Sequence, residues 1–268
     1  MELPPLGPDP RAIRLLKVRR DARQGYISCV SHHYTLSEPD TDPILSLRHI
    51  FSESEPYPIS YNPMSYVALS YVWGTESNTL RILLNDTPLM IRPNLYLFLQ
   101  YITSARDQFA RELRDSFLWI DALCIDQQSN DDKDKQVPLM GLIFSEARFV
   151  IGWLWSATSA MGSDDPNSQA VRSLVAEIAK DRQDVNLADY SSYYHSNHDA
   201  ELQAWFKARA RLEERAEDGM FSAALIRLTE HAYWSRLWVV QEIDLAQHLL
   251  ILWEGEIFLG RNCNTSYM

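Results

Sequence analysis

Apolar positions along this chain follow two rhythms. Tyr66-Val67-Ala68-Leu69-Ser70-Tyr71-Val72-Trp73 is almost unbroken apolar or aromatic sequence stopping at Gly74, and Phe117-Leu118-Trp119-Ile120-Asp121 repeats the pattern. Runs this short and this rich in β-formers predict strands buried on both faces. Residues 148–155 predict a third such strand, 13–18 an earlier one and 248–253 a last one. Between them the spacing turns helical. Leu95, Phe98, Leu99 and Ile102 form one stripe of a helix over 94–109. A helix from about 135, with Pro138 in its first turn, faces Val137, Met140, Ile143 and Phe144 to the core. A helix over about 233–246 precedes the last strand, and 81–91 predicts a hairpin turning at Asn85-Asp86-Thr87-Pro88. Strand, helix, strand in this order implies right-handed parallel crossovers, hence an α/β fold with a parallel sheet flanked by helices.

Residues 1–12 are rich in proline and read as a loose lead-in, and 37–63, proline-punctuated among acids and serines, as a long surface connection. Residues 156–225 break the rhythm with a polar loop and two charged helical stretches, about 168–181 and 199–217, which predicts a mostly helical insertion. A chain of 268 residues, at roughly 150 per domain, then reads as one domain over 13–260 carrying that insertion, with a tail at 261–268.

Composition narrows the function classes. With 25 Lys+Arg against 36 Asp+Glu the net charge is −11, which argues against wrapping duplex nucleic acid or resting on anionic membrane. No leader pattern opens the sequence and no run approaches the roughly 20 apolar residues of a membrane span, so a cytoplasmic protein is expected. Three cysteines, Cys29, Cys124 and Cys263, suit reduced thiols better than a disulfide framework. Only 9 glycines are present and neither phosphate-cradling glycine motif occurs, which excludes nucleotide binding through those loops. Cys29, His32 and His33 lack the second ligand pair of a tetrahedral metal site, so no metal is expected.

Candidate chemistry concentrates in Tyr233-Trp234-Ser235-Arg236-Leu237-Trp238-Val239-Val240-Gln241-Glu242-Ile243. Helical spacing puts Trp234, Trp238, Glu242 and Leu245 on one stripe, so a carboxylate shares a face with two tryptophans. A charge there must be paired or functional. One reading pairs Glu242 with an arginine from the insertion; the other makes it a working carboxylate. In open parallel sheets ligands bind outside the carboxyl ends of the strands. Ser70, Tyr71, Trp73 and Gly74 end one buried strand, and Asp121, with Cys124, Asp126 and Gln127 beyond it, ends the other. For Asp121 the competing role is a cap, for Tyr71 and Trp73 a place in the core, and for Cys124 a small hydrophobe rather than a nucleophile.

Three blocks together resemble the fungal heterokaryon-incompatibility (HET) domain: 66–74; 118–127 leading to Gln136-Val137, Met140, Ala147 and Trp153; and 233–242. Asp132, Phe144 and Trp155 depart from the family's usual Glu, Tyr and Gly. HET domains are in turn similar to TIR domains, of flavodoxin-like fold, several of which hydrolyse NAD at the nicotinamide–ribose bond. That resemblance implies a TIR-like sheet with Trp119-Ile120-Asp121 on its second strand and Glu242 of the Trp238-x-x-x-Glu242 pair as catalytic glutamate. It further implies NAD as substrate rather than resident cofactor, between aromatic walls such as Tyr71, Trp73 and Trp238, and an effector role in non-self recognition and regulated cell death. Self-association would close the loops at 75–79 or 127–134 over the ligand, and any sensor would be a separate protein. The alternative it leaves open is a non-catalytic adaptor signalling by homotypic assembly.

Overall fold

The computed structural model describes residues 3, 5–20, 25–37, 66–74, 77–154, 226, 228 and 230–253, together with the backbone of 256–259. Most of the expected surface connection at 37–63, the insertion at 156–225, Cys263 and the tail at 261–268 lie outside the described residues.

Among the described residues nine strands form one sheet in the order β5-β4-β2-β1-β6-β3-β7-β8-β9. They are β1 (Ala12–Arg20), β2 (Ile27–Thr35), β3 (Tyr66–Tyr71), β4 (Leu80–Leu84), β5 (Thr87–Ile91), β6 (Phe117–Trp119), β7 (Phe149–Leu154), β8 (Leu249–Trp253) and β9 (Glu256–Leu259). The centre, β6-β3-β7-β8, is parallel throughout. Taken in chain order its strands lie 2-1-3-4, the order of flavodoxin-like sheets. Every residue of β3, β7 and β8 is buried, as strands covered on both faces must be. The margins differ from the all-parallel expectation. β1 runs antiparallel to both β2 and β6, and β9 antiparallel to β8. Antiparallel neighbours need only a short connection, whereas each parallel step of the centre requires a crossover.

The hairpin forms as expected and its turn is tighter. Asn85 and Asp86 alone occupy it, both in the left-handed region with φ of 49° and 63°, the geometry of a two-residue turn matched to strand twist. Thr87 and Pro88 already belong to β5.

Three expected helices are broken. The one over 94–109 divides into α1 (Pro93–Ser104) and α2 (Gln108–Asp115), because the Asp107 side chain accepts the Ala110 N–H and starts a new helix. Arg114 then caps the first, donating to the carbonyls of Ile102 and Ala105. After a short α3 (Asp121–Cys124), the helix placed from about 135 begins earlier, as α4 (Asn130–Gln136) capped by Ser129. It passes through a 3-10 turn (Val137–Leu139) holding Pro138 and continues as α5 (Met140–Glu146). Proline lacks the N–H and crowds the preceding turn, so the ladder is interrupted there. Met140, Ile143 and Phe144 are buried as expected, but Val137 is exposed. The last helix splits into a 3-10 turn (Ala232–Ser235) and α6 (Val239–Asp244), with 236–238 irregular between them. Among the described residues no helix is long and apolar enough to cross a membrane.

Candidate functional site

A cavity of about 550 Å³ opens where β3 and β6 end, between the segment after β3, the start of α3 and the junction leading into α6. Its volume lies within the range of small-molecule sites, and its place beyond the carboxyl ends of parallel strands is where open α/β sheets bind ligands.

Trp73 and Gly74 form one wall. Gly74 takes a φ of 80°, a conformation that side-chain-bearing residues resist, and its carbonyl accepts a hydrogen bond from Arg92. The Arg92 guanidinium also lies 5.9 Å above the Trp73 ring. Asn94, on the first turn of α1, donates to the Val72 carbonyl at 2.6 Å and accepts from the Trp153 indole at 2.9 Å, tying the end of β3 to β7. No periodicity signalled Asn94.

Asp121 stands at the start of α3. Its Oδ1 accepts the adjacent Ala122 N–H at 2.7 Å and its Oδ2 the Trp73 indole N–H at 2.8 Å. The helix-starting Ala122 N–H and the Trp73 ring are therefore held by different oxygens of one carboxyl, and Asp121 is the first residue of α3 rather than its cap. Burial pushes that carboxyl up to about 6, against the Trp73 and Ala122 hydrogen bonds and the Arg236 charge that favour ionisation, and with Glu242 adding to the rise. Gln127, also on the wall, donates to the Asp121 carbonyl at 3.0 Å.

Glu242 is 2% exposed and borders the cavity. Its expected stripe is not realised: Trp234, Trp238 and Leu245 are exposed, because the helix that would have aligned them is interrupted at 236–238. The arginine partner does exist, yet it comes from that interruption and not from the insertion. Arg236 grips both carboxylate oxygens, Nη2 to Oε1 at 2.8 Å and Nη1 to Oε2 at 2.9 Å. In an unbroken helix six positions rotate by about 240°, which would have set these two side chains on different faces. The Ser70 hydroxyl donates to Glu242 Oε2 and accepts from Arg236 Nη1 at 3.0 Å. Having one proton, Ser70 must accept from the Tyr233 hydroxyl, 2.7 Å away. Tyr233 reaches it across Gly152 of β7, where a Cβ would meet the Tyr233 hydroxyl at 3.0 Å and Ile251 Cδ1 at 2.5 Å.

Of the sequence-predicted residues, Trp73, Gly74, Asp121, Gln127, Trp238 and Glu242 line the cavity, and Ser70 touches it through Glu242. Tyr71, Cys124 and Asp126 do not. Tyr71 is buried in the core, its hydroxyl driven well up by burial. Cys124 is equally buried and its thiol is held in the neutral form by burial, which removes it as a nucleophile. Asp126 organises the turn after α3, accepting from the Gln128 N–H at 3.0 Å. The loop expected at 127–134 is largely taken up by α4, and 75–76 lie outside the described residues.

Behind the cavity Arg14 of β1 makes a second two-pronged pair with Asp132 of α4, at 2.8 and 3.0 Å, and also donates to the Cys124 carbonyl. Asp132 accepts the Asp126 N–H as well. Burial raises its carboxyl, but these bonds and the Arg14 charge outweigh burial and hold it below the usual range. Lys133, the next residue, lines the cavity. Sequence reasoning missed Lys133, which α4 carries to the wall, and Arg236, whose place on the wall depends on the break at 236–238. Among the described residues no group of three His, Cys, Asp or Glu side chains is arranged to hold a metal ion.

Fold and site together define an α/β protein with a flavodoxin-like strand order and a cavity of mixed charge and aromatic wall at the carboxyl ends of its central strands. The family model described as Heterokaryon incompatibility protein (HET) matches residues 66–242, and the chain belongs to that family. The match opens on the first residue of β3 and closes on Glu242. The chain is also 30% identical over 207 residues to "Heterokaryon incompatibility protein 6, OR allele" of Neurospora crassa, an alignment covering 68% of this chain and 28% of that protein. It thus spans less than a third of that relative's length. No solved structure matches it.

Proposed function

We propose that this chain is a cytoplasmic effector module of fungal non-self recognition and regulated cell death, cleaving NAD at the nicotinamide–ribose bond with Glu242 as the catalytic carboxylate. The observation that carries this reading is a buried carboxylate, oriented by Ser70 and Tyr233, bordering a cavity at the switch point of a 2-1-3-4 parallel sheet. The likeness of HET to TIR domains supplies the substrate class, and the Neurospora relative, a heterokaryon incompatibility protein by name, supports the biological role.

Nicotinamide leaves a pyridinium glycoside as a neutral molecule, so no general acid is required. The C1′–N1 bonding pair stays with nicotinamide, a water oxygen bonds to C1′ and releases one proton, and the products are nicotinamide and ADP-ribose. A fixed carboxylate beside the oxocarbenium-like ribosyl centre stabilises the charge that develops there. Trp73 and Trp238 offer apolar faces to the flat base, and Asp121 a second acidic group.

One observation favours a second reading. Arg236 occupies both oxygens of Glu242, as in a purely structural ion pair, and the module would then signal by homotypic assembly alone. The two are separated by nicotinamide release from NAD by the purified, concentrated protein. Glu242→Gln is expected to lower kcat at least ~100-fold, the scale of losing one transition-state charge contact, with the fold retained. Activity within threefold of wild type, or no cleavage by wild type at any concentration, rejects the enzyme reading. Self-association belongs to both readings, and in the enzyme reading specific activity should rise with protein concentration.

A further inference from the structure

Four charged side chains border the cavity, the carboxylates of Asp121 and Glu242 and the cations of Lys133 and Arg236. They are not equally committed. Asp121 is held by Trp73 and Ala122. Glu242 is held by Ser70, which Tyr233 holds in turn. The Lys133 side chain has no hydrogen-bond or ion-pair partner among the described residues, only its backbone being bonded, to Ser129 and Val137. Among the described residues Arg236 donates its side-chain hydrogen bonds to Glu242 and Ser70, with its guanidinium 5.7 Å from the centre of the Tyr233 ring, and at 19% exposure it is the solvent-facing member of a pair whose acid is 2% exposed. It also stands outside the helices, at the extended end of the 3-10 turn.

We propose that Arg236 sets the ligand specificity of the cavity by exchanging partners: in the free protein it covers Glu242, and the diphosphate of a ligand, received jointly with Lys133, draws it off and exposes the carboxylate. This inference rests on the reading of the site as a nucleotide-cleaving centre. A guanidinium fork fits adjacent phosphate oxygens as well as it fits a carboxylate, so exchange replaces one two-pronged contact by another. Ser70 keeps its bond to Oε2 when Arg236 turns away, and the carboxylate therefore stays in place. With both cations on the diphosphate, the two carboxylates are left to the cationic end of the ligand. A pyridinium riboside without phosphates has nothing with which to uncover Glu242.

The test is calorimetric titration with inorganic pyrophosphate, alongside turnover of NAD and of nicotinamide riboside. Glu242→Gln removes the carboxylate that competes for Arg236 and should bind pyrophosphate at least ~10-fold more tightly than wild type, while Arg236→Gln should bind at least ~10-fold more weakly, each tenfold being about 1.4 kcal/mol. Wild type should favour NAD over the riboside in kcat, and Arg236→Gln should narrow that preference. Since Arg236→Gln strands a buried carboxylate, Arg236→Lys and the double variant Arg236→Gln/Glu242→Gln provide the same comparison in a folded protein. The first should bind pyrophosphate between wild type and Arg236→Gln, and the second as weakly as Arg236→Gln. Pyrophosphate binding by Glu242→Gln no tighter than by wild type overturns the exchange, as does binding by the Arg236 variants equal to wild type. If wild type does not cleave NAD, the enzyme reading falls, and the titration still decides whether Arg236 changes partners.

Discussion

Two two-pronged arginine–carboxylate pairs, Arg236 with Glu242 bordering the cavity and Arg14 with Asp132 beside the cavity-lining Lys133, are built in opposite senses. In the rear pair the cation is the deeper member: side-chain exposure is 3% for Arg14 and 12% for Asp132. The surroundings are backbone, the Cys124 carbonyl and the Asp126 N–H. In the front pair the acid is deeper, 2% against 19% for Arg236, and the surroundings are the Ser70 and Tyr233 side chains. A pair closed by backbone locks segments together, here β1 to the stretch that carries Asp121, Gln127 and Lys133. One closed by side chains and open to a cavity can change partners without unfolding anything.

What each variant strands should set its cost. Asp132→Asn breaks the two-pronged ion pair on a buried guanidinium and is expected to cost about 3 kcal/mol in urea unfolding, the scale for breaking a buried pair. Arg236→Gln should cost a similar amount, because a carboxylate of 2% exposure is left behind. Glu242→Gln should cost about 1 kcal/mol, since Arg236 can turn to water and Ser70 and Tyr233 remain. Equal costs for the two front-pair variants would contradict the assigned asymmetry.

Gly152→Ala probes the front network from behind, its Cβ 2.5 Å from Ile251 Cδ1 and 3.0 Å from the Tyr233 hydroxyl. We expect a loss of about 2 kcal/mol from overpacking, with NAD cleavage falling further than stability because Tyr233 is pushed off Ser70. Wild-type activity in a folded variant would show that Tyr233 does not position Glu242.

The smallest effect concerns Asp121 and depends on pH. Its carboxyl is raised from 3.8 to about 6 in the folded protein, so the proton stabilises the fold below pH 4 and that contribution is lost as pH rises through 6. Asp121→Asn cannot lose it, but it gives up one of two accepted hydrogen bonds, worth about 1 kcal/mol. The variant should therefore melt a few degrees below wild type at pH 4 and level with it or above it at pH 7. A Tm difference that does not change between those pH values would refute the raised carboxyl.

Local pattern carried the strands, and tertiary contact carried the site. The apolar runs at β3, β7 and β8 could only be strands covered on both faces, because hydrophobic burial depends on composition that is visible in the chain. Asn85-Asp86 named its own turn, because positive φ is a local preference. The helices were legible as periodic stretches but not their breaks at 105–107, 137–139 and 236–238, where caps, proline and packing override period. Those breaks made the site. Chain spacing alone puts Arg236 and Glu242 on different helix faces, and only the irregular 236–238 segment, with Arg236 bonded to Ser70, folds them into one ion pair. Asp121 likewise advertised a strand end in sequence, yet its raised carboxyl comes from desolvation, with the neighbouring Glu242 adding to it. Burial and the proximity of charges are properties of assembled space, decided when the chain closes on itself.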